Sequence, residues 1–434
     1  MSLEQDRRLF LKAGATLFAA SAMASERAAQ RAWAADSTSP NDTVRVAIMG
    51  VNTRGLALTK SFLAAKGAEI VTICDVDSRA ADKAAETIAK GQARPATVVK
   101  DIRQLLDDAS IDALVVAAPN HWHAPATILG CAAGKHVYVE KPCSQTPEEG
   151  ELAVQAARKH NRVVQMGSQR RSWPAIAAGI AKLHAGEIGD VLYARSWYNN
   201  RRASIGTGKQ ADVPQWLDWD LWQGPAPRRP YVDNLVHYNW HWNWHWGNGE
   251  LGNNGIHGLD VARWGLQVTY PNRVTAGGGK YRHDDDQQTP DTMMVTYDFP
   301  EGKTITWEGL SWSPLGSQDL GFGVSFHGTK GSMVIRNAGY VLYDMQNRET
   351  DSQSGAGGDT DHLADFINSI RTGDRPNADI EEAHRSTLLC HLGNIAYRTA
   401  STLSTDPANG RILGNAEAAK LWSREYDPKW QPSV

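Results

Sequence analysis

The stretch Gly50-Val51-Asn52-Thr53-Arg54-Gly55, with Asp75 twenty residues further on, has the residue types and spacing that hold a dinucleotide. Gly50 allows a tight turn, and Gly55 allows a helix to pack closely on a strand. Asn52 stands at the middle position, where glycine lets the backbone approach a pyrophosphate. Asparagine tolerates left-handed backbone and is the mildest exchange there. A carboxylate at Asp75 can accept hydrogen bonds from both hydroxyls of an adenosine ribose and repels a 2′-phosphate, which favours NAD over NADP. The plain alternative is a tight strand-to-helix turn with a capping aspartate. Isolated, the glycine pattern is weak; strand, turn, helix, strand and acid in order make it strong.

A second feature is Tyr238–Trp246, YNWHWNWHW, in a chain with 16 tryptophans against 7 phenylalanines. As a strand it would put Trp240, Trp242, Trp244 and Trp246 on one face and His241 and His245 on the other. As a helix it would line up His237, His241 and His245 at metal-ligand spacing. No carboxylate or cysteine accompanies that row, so no metal is expected. An aromatic core or the wall of a pocket remains.

These residues need elements to position them. From residue 43, short apolar runs (VRVAIM, AEIVTIC, DALVVA, HVYV, RVVQM) alternate with helical spacings. Continuous apolar strands between amphipathic helices imply a parallel sheet covered on both faces, a doubly wound domain over 43–168. Beyond 169 the rhythm changes. DVLYARSWYNNRR, DTMMVTYDF, KTITWEGLSW, LGFGVSFHG and SMVIRNAGYVLYD alternate partially, which implies an α+β domain over 169–434 with a large, mostly antiparallel open sheet. Residues 349–360 read as a polar, Gly-rich loop, and 361–371 and 379–403 as helices. A net charge of −3 gives no basic field for nucleic acid. The four cysteines show no metal or disulfide spacing.

At the N-terminus, Arg7-Arg8 and Phe10-Leu11-Lys12 precede a short Ala-rich run, Ala13 to Ala24, resembling a twin-arginine export signal over residues 1–35. Periplasmic or secreted location is the expectation. The apolar run is too short for a stable membrane anchor.

Ala118-Pro119-Asn120-His121-Trp122-His123 and Glu140-Lys141-Pro142 follow strands four and five, and Met166-Gly167-Ser168-Gln169-Arg170-Arg171 and GNGELGNNGIHGLD come later. Together with the glycine turn these motifs resemble the Gfo/Idh/MocA family of NAD(P)-dependent oxidoreductases, across nearly the whole chain after the signal. The resemblance implies a Rossmann domain, NAD as cofactor, a sugar, polyol or glycoside substrate, and a homodimer or homotetramer. It places Gly50, Asn52, Thr53, Arg54, Gly55, Asp75, Pro119, Asn120 and His123 along the cofactor, with Glu140 at the nicotinamide ribose. Lys141 falls beside the nicotinamide and the reacting hydroxyl. A lysine desolvated against a cationic ring would have a lowered pKa suited to proton shuttling. Asn253 and His257 fall where the family has an acid and a histidine four residues apart. His257 is then the base, and Asn253, where many members carry aspartate, has an orienting role. Arg170 would lie near the nicotinamide end or the substrate, and Tyr198 could serve as a further base. His245 and Trp246, nearest to Asn253 and His257 in the chain, are the expected substrate-contacting members of the aromatic run.

An exported enzyme must keep its NAD bound. That leaves an oxidoreductase working on two sugars in turn, or a redox-neutral glycoside hydrolase or lyase that oxidises C3 transiently. A catalytically idle nucleotide- or sugar-binding protein is the alternative from another class.

Overall fold

A computed structural model describes residues 43–434; the export-signal expectation lies outside the described residues. The first sheet is wholly parallel, in the order β3-β2-β1-β4-β5-β6. Its strands are β1 (Val44–Met49), β2 (Ala68–Cys74), β3 (Thr97–Val99), β4 (Ala113–Val116), β5 (His136–Val139) and β6 (Val164–Met166). The connecting helices are α1 (Thr53–Ala64), α2 (Ser78–Gly91), α3 (Ile102–Leu106), α4 (Asn120–Ala132) and α5 (Pro147–Lys159). Strand polarity explains the continuous apolar runs. Val44, Val46 and Ile48 enter one core while Ala47 and Met49 enter the other, on the opposite face. Local sequence starts the helices. Asn52 caps α1 and Asp77 caps α2, and Thr146 with Glu149 forms a reciprocal capping box on α5. The strand order reverses between β1 and β4, so their carboxyl ends open a crevice.

The second sheet has ten strands: β7 (Val191–Asn199), β8 (Arg273–Gly279), β9 (Thr292–Phe299), β10 (Lys303–Leu310), β11 (Phe322–Gly328), β12 (Gly331–Arg336), β13 (Gly339–Asp344), β14 (Glu349–Gln353), β15 (Leu403–Thr405) and β16 (Ile412–Leu413). Their order is β14-β13-β12-β11-β7-β10-β9-β8-β15-β16, and β7 with β10 is the parallel pair. The sheet is therefore mixed but mostly antiparallel. Further helices are α6 (Pro174–His184), α7 (Trp219–Gln223), α8 (Ile256–Leu266), α9 (Thr360–Thr372) and α10 (Ile380–Arg398). α8 packs on β7, β10 and β11, and α10 packs on α5, α8 and β8. The other face carries polar pairs, Tyr193 with Thr306 and Arg195 with Glu308, together with the exposed Met294.

Two features depart from the sequence reading. Residues 349–353, expected in a loop, form the edge strand β14 against β13, because backbone pairing is available there to a polar sequence. α9 leaves the second domain's part of the chain and packs into the first domain: Leu363, Phe366 and Ile367 share a core with Phe62 and Tyr138.

Candidate active site

A cleft of about 430 Å³ lies at the carboxyl ends of β1, β4 and β5 and is walled on its far side by the second domain. Gly50 has φ +80°, and a Cβ there would sit 2.8 Å from the carbonyl carbon of Ala117. A Cβ on Gly55 would lie 1.7 Å from the carbonyl oxygen of Gly50. Both glycines are therefore required by close backbone approach. Asn52 does not use left-handed backbone: its φ is −84°, and its side chain accepts from Thr53 N–H as the cap of α1. The positive φ falls on Thr53 instead, at 33°.

Asp75 lines the same cleft. It accepts from Val51 N–H at 2.7 Å and from Asp77 N–H at 2.8 Å, and burial raises its pKa. An ionised carboxylate offers roughly four acceptor positions, so about two remain for ribose hydroxyls. With a helix start aimed at the cleft, a strand-end acid and a turn without side chains at its two tightest points, the residues present fit a dinucleotide.

Arg54 is committed within the protein. It donates to Glu140 at 2.7 Å and, bidentately, to Asp359 at 2.8 and 2.9 Å. One oxygen of Glu140, expected at the nicotinamide ribose, is thus held by an arginine. Asn120 and Pro119 begin α4 on the cleft wall. His123 bridges two loops, its ring nitrogens 2.6 Å from Pro142 O and 2.7 Å from Ala118 O. Burial lowers its pKa, so the neutral ring donates to one carbonyl at a time. Besides lining the cleft, it fixes the loops that carry Asn120 and Lys141.

Lys141 Nζ donates to the backbone oxygen of Asn253 at 2.7 Å and to its side-chain oxygen at 2.9 Å. Burial lowers the Lys141 pKa, against the opposing pull of Glu140 and Glu250. Residues 251–255 form a wide turn of π type that leads into α8, which is how Asn253 comes to face the lysine. His257, on the first turn of α8, also lines the cleft. Its pKa is driven well below 6.5 by burial and then by Arg170, Lys141 and Arg54, and its Nδ1 is buried without a hydrogen-bond partner.

Arg170 packs between the rings of Trp173 and Phe322, at 5.0 and 4.1 Å. Burial lowers its pKa to about 10, and its Nε has no partner. Its neighbour Arg171 is held by Asp260 at 2.9 Å. Arg170 stands behind the cleft wall and acts on His257 through its charge. The hydroxyl of Tyr198 accepts from Asn200 at 2.6 Å, and this residue too lies outside the cleft lining.

The aromatic run is neither strand nor helix: Asn239–Trp242 is a short 3₁₀ turn, followed by tight turns. The expected ends are reversed. His237, Tyr238, Trp240 and His241 line the cleft. Trp246 is 2% exposed, packed 5.0 Å from Trp222 and 5.1 Å from His121 in an aromatic core that stands behind the cleft wall formed by Trp222 and Trp240. His245 bonds to Pro227 O at 2.8 Å, away from the cleft. Closeness in the chain to His257 does not translate into closeness in space, because the turns at 243–249 swing the later residues outward. The three histidines of the supposed row have separate partners. His237 sits 2.7 Å from Asp77, and His241 stacks on Trp240 at 3.6 Å. Sequence reasoning also missed Trp222 and Trp430 on the cleft wall; neither carries a local signal.

A parallel six-stranded sheet with a glycine turn at its switch point, facing a lysine and histidine from two domains, defines a dinucleotide-dependent enzyme site. Family models agree. Residues 44–168 match the oxidoreductase family with an NAD-binding Rossmann fold, and 196–432 match its C-terminal alpha/beta domain. The chain belongs to the Gfo/Idh/MocA oxidoreductase family, and its cofactor is NAD. Among curated relatives, a glycosyl hydrolase family 109 protein of Saccharopolyspora erythraea is 30% identical over 207 residues, 44% of this chain and 45% of the relative. An alpha-N-acetylgalactosaminidase of Shewanella oneidensis is 30% identical over 162 residues, 36% and 35% of the two chains. The matched stretches thus span less than half of these relatives. Among solved structures, levoglucosan dehydrogenase in complex with NADH and levoglucosan aligns with TM-score 0.66 at 19% identity, over 83% of this chain and 99% of that one. The aldose-aldose oxidoreductase of Caulobacter crescentus aligns with TM-score 0.65 at 18% identity, over 83% and 99%. At these identities the likeness is one of fold.

Proposed function

We propose that the protein oxidises a hydroxyl of a sugar, polyol or glycoside, with Lys141 and His257 as its acid/base groups. One observation carries this reading: Lys141 Nζ, desolvated and hydrogen-bonded to Asn253, shares one cleft with His257 and the Gly50 turn. Bound NAD would supply the hydride acceptor. The hydroxyl proton needs a base, and burial favours the neutral amine of Lys141 for that task. His257 stays neutral near pH 7 and offers a ring nitrogen to a second hydroxyl or to the same one. Asn253 holds the lysine in place through two acceptors without adding a charge.

A redox-neutral glycosidase is the second reading, favoured by curated relatives of 30% identity named for glycoside hydrolysis. There the ketone at C3 would acidify the C2 hydrogen, the aglycone would leave by elimination, water would add, and the hydride would return. We extend the proposal: residues 1–35 direct twin-arginine export to the periplasm or beyond, an exported enzyme must then carry NAD that is loaded first and does not exchange, and the open face of the second sheet is the surface for a homodimer or homotetramer. Sedimentation of the purified protein checks the last point.

Denaturing the protein and identifying the released nucleotide tests the cofactor. Incubation with aldoses, 3-keto sugars and aryl glycosides in deuterated water then separates the readings. A keto-sugar or reduced partner supports the oxidoreductase, and deuterium at C2 with aglycone release supports the glycosidase. No nucleotide and no turnover would leave a binding protein.

A further inference from the structure

Among the described residues four histidines line the cleft: His123, His237, His241 and His257. His123 meets a carbonyl with each nitrogen, and His237 is tied to Asp77, next to the strand-end acid Asp75. His257 belongs to the acid/base pair proposed above. His241 has no role so far. Its Nδ1 lies 2.6 Å from the carbonyl oxygen of Tyr238, and a carbonyl only accepts, so Nδ1 carries the proton. Nε2 then holds the lone pair. Among the described residues it has no hydrogen-bond partner, and unlike Nδ1 of His257 it keeps accessible surface, on a half-buried ring.

The surroundings hold that ring in one orientation. Its face stacks on Trp240 at 3.6 Å, and the Tyr238 ring closes in at 4.7 Å. Trp240 is anchored in turn by its indole N–H on the carbonyl of His237, at 2.8 Å. Arg202 donates to the Tyr238 hydroxyl at 2.9 Å and lies over the Trp242 ring at 4.7 Å. Gly247 approaches so closely that a Cβ there would sit 2.7 Å from the Cα of His241, which fixes the backbone of the turn. Burial brings the His241 pKa to about 3, against the pull of the Tyr238 carbonyl and with help from the charges of Lys141 and Arg202. Those two cations place the ring at the chemical end of the cleft. It stays neutral at pH 7 and accepts hydrogen bonds there without taking a proton.

A fixed neutral acceptor needs a ligand that brings a donor. The nearby cations do not supply it, since Lys141 donates to Asn253, and Arg202 to Glu250 and Tyr238. Nε2 stands on the wall made by the second domain, away from the glycine turn, and is flanked by Trp240 and Tyr238, whose ring faces suit sugar C–H bonds. We infer that His241 sets substrate choice: its Nε2 accepts a hydrogen bond from a sugar hydroxyl other than the one being oxidised. This rests on the oxidation proposed for the cleft, in which Lys141 takes the proton of the reacting hydroxyl. A sugar lacking the partner hydroxyl would leave the lone pair unmatched and be rejected for that reason.

Diethyl pyrocarbonate, which attacks an accessible unprotonated ring nitrogen, tests this on the full chain with NAD bound, with labelling read by peptide mass spectrometry. His241 should label nearly equally at pH 7 and pH 5.5, whereas a histidine titrating near 6.5 loses roughly eightfold. Methyl glycosides of D-glucose, D-galactose and N-acetyl-D-galactosamine are then added, and at least one should protect His241 while NAD stays bound. For that glycoside, His241→Phe should raise KM, or the protecting concentration, by about tenfold with bound NAD and melting temperature unchanged. The loss should vanish for one monodeoxy analogue, which names the hydroxyl, and His241→Gln, keeping an acceptor, should restore part of it. The inference is overturned if His241 does not label, if no glycoside protects it, or if every deoxy analogue loses equally. It is overturned too if removing NAD, and not adding sugar, changes the labelling, since the carboxamide is then the donor. Protection without reduction of NAD would instead sink the oxidation reading and leave the hydroxyl contact standing.

Discussion

The two ends of the cleft are built in opposite ways. At the nucleotide end the charges are already matched: Arg54 holds Glu140 and Asp359, and Asp75 holds two backbone N–H groups. At the chemical end Lys141 touches only neutral oxygens, Arg170 meets aromatic rings, and His257 keeps a buried nitrogen without a partner. A closed network fixes shape and holds a ligand by fit. An open one keeps its interactions for the substrate and lets burial set the proton affinities. The molecule binds with one end and is poised to react with the other.

The largest expected effect removes this contrast by unfolding the molecule, because the fold keeps several imidazoles buried and neutral. Burial lowers the pKa of His136, His362 and His384 to about 4 and of His241 and His391 to about 3. Unfolded, each would titrate near 6.5. The folded state therefore binds fewer protons below that pH. The stability from these groups is complete above about pH 6.5 and is lost as the pH falls toward 4 and then 3. Melting curves from pH 7 to 4 should show a steep drop, and proton uptake should accompany unfolding at pH 5.

Lys141→Met sharpens the contrast next. It should lower kcat by about 10²–10⁴-fold while melting temperature and bound NAD stay near those of the parent. If NAD is lost instead, Lys141 belongs to the binding end. Asn253→Asp closes the open network by setting a carboxylate against Nζ. It should raise the lysine pKa, shift the rising limb of kcat/KM to higher pH, and slow the neutral rate by about tenfold per pKa unit. Asp359→Asn opens the closed one and gives the smallest effect. Arg54 is 35% exposed, so about 1 kcal/mol of stability should be lost in chemical denaturation, with faster NAD release and unchanged kcat.

The closed end was largely legible in the sequence. Continuous apolar strands, the two glycines and Asp75 are local signals, and the structure uses them locally. The backbone detail was not, since left-handed geometry moved from Asn52 to Thr53 once the asparagine side chain became the cap of α1. Asp359 escaped notice because its partner Arg54 lies some three hundred residues away in the chain. At the open end Lys141 and His257 could be named from their motifs. Which end of the aromatic run faces the cleft could not, because irregular turns rather than a period of two or 3.6 decide it. Trp246 fills a core, and Trp240 and His241 took the place expected for Trp246 and His245.

α9 has a consequence for how the protein is made. Phe366 meets Tyr138 edge to face at 5.9 Å, and Asp359, just before this helix, grips Arg54. The nucleotide-binding half is thus finished by a segment that lies roughly two hundred residues further along the chain. A ribosome must release roughly three hundred and seventy residues before that half can close, so a fragment ending at 168 would leave the Phe62 and Tyr138 face bare. A 43–168 fragment should accordingly bind NAD more weakly than a chain that includes α9.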